Sequence, residues 1–243
     1  MRLPDPFYSA GDHVAIDLPG ARAVFTTRHG GFSSGPYESL NLGRFTDDDP
    51  ETVERNRAAL ADELGITFTY SRQVHGSSVL RVSEQSPEDR AIAEADGHAT
   101  ALRGIGPMVL TADCLPIAIA GAGAVATVHA GWRGLAAGVV AEGVAAVREL
   151  GGEDPITAAI GPGAGPCCYE VGDEVHAAFA SHGDHARRGQ NLDLKTIASI
   201  ELEAAGVHTV HDVSLCTICC ELFYSHRRER GVTGRQAGVA WLT

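Results

Sequence analysis

The hydrophobic positions of this chain fall mostly into short runs of five to seven residues, separated by glycine-rich turns. Ala23–Thr27 predicts a strand running into the loop Arg28-His29-Gly30-Gly31-Phe32-Ser33-Ser34-Gly35. Asp49-Pro50-Glu51 opens a helix that continues to Leu64 and stops at Gly65, because proline and acids suit a first turn and glycine a C-terminus. Ser71–His75 and Val79–Val82 flank a Gly-Ser turn and predict two paired strands. Pro107–Thr111, Leu115–Ala120 and Ala124–His129 are apolar runs of strand length.

Leu135–Leu150 carries small residues on most faces and predicts one helix ending at Gly151-Gly152. Ile156–Ile160 reads as a strand, Val171–Ala180 and Leu194–Ala205 as helices, Val207–Val213 as a strand, Cys219–His226 as helical, and Gly238–Leu242 as a last strand. Strands and helices are intermixed, but the β runs between 71 and 129 are consecutive. That order favours mixed sheets in an α+β fold over a doubly wound parallel sheet.

Composition narrows the possibilities. With 243 residues and 44% hydrophobic content, the chain can bury an ample core. Its formal charge of −12 argues against a general nucleic-acid binder, which needs a basic face, although local arginines can still hold a small anion. Met1–Pro6 has no apolar core of a secretory leader. The nearly uncharged stretch around 104–128 is interrupted by Asp113 and is too short for the roughly 20 apolar residues of a membrane span. The expected location is therefore the cytoplasm, with neither membrane nor nucleic-acid partners. Six cysteines in such a chain read as thiols or metal ligands rather than as disulfides.

Three residues then stand out: His75 in Gln-Val-His-Gly, Cys114 in Thr-Ala-Asp-Cys and His129 in Val-His-Ala-Gly, each where an apolar run meets a turn. Two imidazoles and a thiolate can occupy three corners of a zinc tetrahedron and leave the fourth open, which is the catalytic type of site. Spacing alone does not tie them together, and a single histidine beside a strand is more often a satisfied structural residue. Arg28, Arg133 and Arg227 lie in or beside loops, where a guanidinium fork suits phosphate. Cys167-Cys168 and Cys216-Thr217-Ile218-Cys219 could compose a closed Cys₄ site, the mark of a structural or interaction module. Adjacent cysteines seldom share one tetrahedral ion, so these four read as packed thiols.

The motifs taken in order form a recognisable series. Thr27–Ser33, Ser39-Leu40-Asn41-Leu42-Gly43, Gln73-Val74-His75-Gly76, Ala95-Asp96-Gly97, Thr111–Pro116, His129-Ala130-Gly131-Trp132-Arg133-Gly134, Ile160-Gly161-Pro162, Cys168–Val171 and Ser225-His226-Arg227-Arg228 resemble the YfiH-type family from about residue 20 onward. Members of that family have been called laccase-domain proteins, polyphenol oxidases, peptidoglycan editing factors and purine nucleoside phosphorylases. The resemblance implies one domain over residues 1–243, built as a four-layer α/β/β/α sandwich of two mixed sheets packed face to face with helices outside. It also implies Zn²⁺ on His75, Cys114 and His129, with a purine nucleoside and phosphate as ligands.

The implied activity is phosphorolysis of adenosine, inosine and S-methyl-5′-thioadenosine, with adenosine deamination beside it. In that scheme Arg28, Arg133 and Arg227 hold phosphate, Asn41 or Gln73 assists the departing purine, and Asp113 carries protons. Two rival activities remain. Amide hydrolysis of a peptidoglycan precursor would suit the same metal. Copper-dependent phenol oxidation needs clustered imidazoles, and the eleven histidines include no His-x-His pair, which makes copper the weaker choice.

Overall fold

A computed structural model of the chain describes residues 3–83 and 93–243. The first sheet contains β1 (Tyr8–Ala10), β2 (His13–Leu18), β3 (Ala21–Phe25), β4 (Thr67–Thr69), β7 (Ile105–Thr111) and β14 (Gln236–Leu242), in the order β1-β2-β3-β14-β7-β4. The second contains β5 (Val79–Val82), β6 (Gly97–Thr100), β8 (Leu115–Ala122), β9 (Ala124–Ala130), β10 (Glu153–Ile160) and β13 (Thr209–Asp212), in the order β13-β10-β8-β9-β6-β5. A two-stranded ribbon, β11 (Arg187–Arg188) with β12 (Asn191–Leu192), stands apart, preceded in the chain by the short helix α4 (Asp173–Ala178). Both large sheets are mixed: β4 pairs parallel with β7, and β5 with β6.

Strand alternation explains the layering. On β8, Ile117 and Ile119 face the helices α3 (Val139–Glu149) and α5 (Leu194–Ala204), whereas Ala118 and Ala120 face the other sheet. There they meet Val14, Ile16, Phe25 and Leu242 in an inter-sheet core. Small residues at this interface let the sheets approach closely; a Cβ on Gly238 would lie 2.5 Å from Pro116 Cβ. The outer face of the first sheet packs Met108, Ala237 and Val239 against Leu60 of α1 (Pro50–Leu64). The layers are thus α1, sheet, sheet, and α3 with α5, the expected α/β/β/α arrangement. Among the described residues no helix is long and apolar enough to cross a membrane.

Helix α1 forms where the sequence predicts it. Asp49 accepts a hydrogen bond from the Thr52 amide at 2.9 Å, Pro50 enters the first turn, and Gly65 closes the helix at φ +66°.

Three expectations need correction. Ser71–His75 is a loop, not a strand paired with Val79–Val82; β5 instead pairs parallel with β6, which the local pattern does not reveal. The helix expected over Leu135–Leu150 is divided into α2 (Trp132–Ala136) and α3, because Gly138 takes φ +85° between them. Cys219–His226 forms turns rather than a helix. Carbonyls in and just before it are satisfied from the side: Arg228 donates to those of Thr217, Ile218, Cys220 and Phe223.

Candidate active site

Cys114 begins the turn into β8, and His129 lies near the end of the neighbouring strand β9, where Pro116 and His129 are register partners. The second sheet therefore brings residues 15 positions apart side by side. His75 arrives from the loop before β5, with φ +60°, a left-handed conformation costly for a side-chain-bearing residue.

Asp96 holds that loop. Its buried carboxylate accepts the backbone N–H groups of Val74, His75 and Gly76 at 3.1, 2.9 and 2.7 Å. The same carboxylate accepts Nδ1–H of His129 at 2.8 Å. One side chain thus positions two of the three expected ligands and, by engaging Nδ1, leaves Nε2 as the atom of His129 that would ligate a metal once its proton is displaced.

The ligand atoms of His75, Cys114 and His129 all lie within 4.8 Å of one another. The His75 and His129 rings meet edge to face at a centroid distance of 4.8 Å, and Cys114 Sγ is 3.9 Å from His75 Nε2. Gly131 leaves room for this convergence, since a Cβ there would sit 2.8 Å from Cys114 Sγ and 3.1 Å from His75 Cδ2.

Electrostatics favour the ligating form of the thiol. Burial opposes ionisation of Cys114, but the His129 charge, with hydrogen bonds from both imidazoles, outweighs it and brings the thiol down to about 6. Burial also opposes charging of His129, yet Cys114 and Asp96 push that imidazole up to about 9. A thiolate is both the nucleophilic and the metal-binding state of cysteine.

A cavity of about 530 Å³ opens onto this cluster, a size suited to a small organic ligand. Arg44, Arg57, Arg133, Arg227 and Arg235 line it, and among the described residues Asp113 is the only carboxylate in its wall. Both Asp113 oxygens are engaged, one by Thr217 Oγ1 and one by the Arg227 amide, each at 2.7 Å. A lining this cationic in an acidic chain suits an anion. Arg57 is 5% exposed, stacks on Tyr70 at 4.2 Å, and has a buried Nη2 with no hydrogen-bond partner. Arg133 lies over Trp132 at 4.3 Å, and Arg227 over Tyr169 at 5.4 Å. Burial, followed by the Cys114 charge, pushes the Tyr169 phenol up to about 12, so it remains a hydrogen-bond donor.

Of the residues singled out from the sequence, His75, Cys114, His129, Gln73, Asp113, Arg133 and Arg227 share this cavity. Gln73 is pinned to β7 by two 2.8 Å hydrogen bonds with the backbone of Leu110. Arg28 and Asn41 lie off the cavity wall. Arg28 pairs with Glu229 at 2.9 Å and stacks on Tyr224, while Asn41 is fully buried and bonded to Thr46, Asp48, Gly43 and Arg235.

Asp96, Arg57, Arg235, Tyr70 and Tyr169 are lining or bracing residues with no role in the sequence reading. Arg57 carries a signal, since it stands on the same helical face as Val53 and Leu60, where a charge needs a reason. The four cysteines read as packed thiols also converge: Cys167, Cys168, Cys216 and Cys219 are the second of two groups among the described residues able to hold an ion.

Comparison with known proteins places these features in a wider set. Residues 22–243 match the family model described as multi-copper polyphenol oxidoreductase laccase. A purine nucleoside phosphorylase of Pseudomonas aeruginosa is 40% identical over 233 residues, 91% of this chain and 93% of that protein. One from Corynebacterium glutamicum is 38% identical over 232 residues, covering 91% and 94%. Among solved structures, the hypothetical protein YfiH of Bacillus licheniformis superposes with a TM-score of 0.91 at 31% identity, covering 99% of this chain and 100% of that one. YlmD of Geobacillus stearothermophilus gives 0.89 at 35% identity, covering 98% and 99%.

Proposed function

The chain belongs to the family described as multi-copper polyphenol oxidoreductase laccase, and from its likeness to relatives named purine nucleoside phosphorylase we propose that it is one of these phosphorylases. The reaction joins a nucleoside and inorganic phosphate to give a free purine and ribose 1-phosphate. Adenosine, inosine and S-methyl-5′-thioadenosine are the proposed substrates, with hydrolysis of adenosine to inosine and ammonia as a side activity. The observation that carries this reading is the arginine-lined cavity opening directly onto His75, Cys114 and His129.

The donor set fits Zn²⁺. Two imidazoles and a thiolate match the zinc ligand repertoire, Asp96 fixes the tautomer of one imidazole, and no fourth protein donor joins the group among the described residues. Bound there, zinc supplies Lewis-acid chemistry at the cavity wall. The family description names copper instead. Multicopper chemistry needs several imidazole-rich centres, whereas the two candidate centres among the described residues contribute two imidazoles in total.

The remaining work falls to side chains. Arg133 and Arg227 hold phosphate, their guanidinium planes kept in place by Trp132 and Tyr169. A phosphate oxygen attacks the anomeric carbon as the glycosidic bond breaks, and the purine leaves with the bonding pair and takes up the proton that hydrogen phosphate gives up. Tyr169 donates a hydrogen bond to the bound nucleoside. Asp113, with both oxygens engaged, positions Arg227 through its backbone amide rather than carrying protons. Arg28 and Asn41 support the surrounding loops.

The test is incubation of the purified protein with adenosine, with and without phosphate, followed by chromatographic separation of adenine and inosine. Phosphate-dependent release of adenine and ribose 1-phosphate is expected, with loss of both in Cys114→Ala. Adenine release indifferent to phosphate, or oxygen consumption with a phenol in its place, overturns the proposal.

A further inference from the structure

We propose that Cys167, Cys168, Cys216 and Cys219 form a second metal centre, a closed thiolate cage for a structural zinc ion that ties together the two loops bearing the pocket wall. All four residues are free cysteines and their sulfurs lie within 4.8 Å of one another. Sulfurs at the corners of a zinc tetrahedron, with bonds of about 2.3 Å, are roughly 3.8 Å apart, which falls inside this spread. Cys219 Sγ is 3.4 Å from Cys167 Sγ and 2.9 Å from Cys168 Sγ.

Adjacent cysteines can serve here because the chain reverses under them. Cys168 and Tyr169 both donate backbone hydrogen bonds to the Gly165 carbonyl, at 3.1 and 3.0 Å, so one tight turn aims two thiols at Cys219.

The backbone around the sulfurs is built to the same end. Gly163 and Cys216 form a parallel bridge, with Thr217 N–H donating to the Gly163 carbonyl at 3.0 Å. This brings the two cysteine pairs together from segments about fifty residues apart. Gly165 N–H donates to Cys216 Sγ at 3.2 Å, and the Cys219 amide donates to the same sulfur. Amides directed at the first sulfur of a Cys-x-x-Cys turn stabilise a thiolate. A Cβ on Gly165 would lie 3.3 Å from both Cys167 Sγ and Cys216 Sγ, so glycine leaves the space clear. The Arg228 guanidinium, bonded to three carbonyls of the Cys216–Cys220 turn, places a positive charge beside the cage.

The location gives the ion its purpose. Thr217, between the two ligands of one turn, donates to Asp113, which receives the Arg227 amide through its other oxygen. Tyr169 follows Cys168 directly, and the Glu170 carbonyl accepts Arg227 Nη1 at 2.8 Å. Four sulfur donors close the coordination sphere, so this ion holds the Tyr169–Arg227 wall in shape, while the site with two imidazoles and one thiolate stays open. The inference is independent of which reaction the pocket performs.

Zinc content per chain, measured on purified reduced protein by mass spectrometry of the metal, tests it. Cys168→Ser/Cys219→Ser should lose one equivalent relative to the unaltered protein and keep the other. His75→Ala/Cys114→Ala should retain one equivalent, and its cobalt-loaded form should show intense thiolate-to-cobalt charge-transfer absorption. Unchanged zinc in the paired serine variant overturns the cage. So does a folded His75→Ala/Cys114→Ala protein that binds no zinc, and that measurement decides the matter if the serine variant fails to fold.

Discussion

Asp96 and His129 are joined twice: the imidazole Nδ1–H donates to the Asp96 carboxylate at 2.8 Å, and the His129 amide donates to the Asp96 carbonyl at 2.7 Å. The carboxylate that orients the imidazole also clamps the loop carrying His75. Asp96→Asn keeps the size but offers only one acceptor oxygen and no charge. We expect zinc affinity at the open site to fall by about 10–100-fold, read by competition with a chromophoric chelator, while the far-ultraviolet circular dichroism stays unchanged.

Gly131 tests the packing of the same cluster. The added methyl of Gly131→Ala would press on Cys114 Sγ and the His75 ring. Overpacking of this kind costs about 1–3 kcal/mol. Reduced zinc at the open site and lower denaturant resistance should appear together, measured by metal analysis and urea unfolding.

The arginines divide into two groups. Arg133→Ala should raise the phosphate KM by about 10-fold or more, as expected when a charge-assisted contact worth roughly 1.5–3 kcal/mol is removed. Arg28→Ala should leave that KM unchanged, because its guanidinium is committed to Glu229 and Tyr224. It should instead lower stability in urea unfolding. The contrast between the two variants in steady-state phosphorolysis is the measurement.

Glu201 supplies a pH dependence remote from the pocket. Burial pushes its carboxyl from the ordinary 4.5 up to about 7, with the His182 imidazole 3.7 Å away. Between those values the folded chain retains a proton that the unfolded chain has released. Stability therefore falls as pH rises through that window, and the loss is complete above it. Glu201→Gln removes this loss, so the variant should exceed the parent by on the order of 1–3 kcal/mol at pH 8 and match it near pH 4. Thermal unfolding at the two pH values reads the difference.

What was legible in the chain was local. Asp49, Pro50 and Gly65 mark both ends of α1 because capping is a matter of adjacent residues. The apolar runs at 115–120 and 124–129 could only be buried strands, and their ends carried two of the three expected ligands. The sheets' mixed character was readable only as a class, from the succession of runs. Ser71–His75 alternates like a strand, yet a carboxylate twenty residues away captures its amides and bends it into a loop.

The sequence by itself determined the two ends of α1, which strands are apolar and which residue types are chemically capable, because those properties depend on neighbours along the backbone. Only the tertiary structure decided that Asp96 serves two of the expected ligands, one on a loop and one on a strand, that Arg57 and Arg235 face the cavity while Arg28 and Asn41 do not, and that four cysteines meet. The physical reason is distance along the chain. Hydrogen bonds, stacked guanidiniums and clustered sulfurs are set by which strands pair and how two sheets face each other, and no local pattern encodes that pairing.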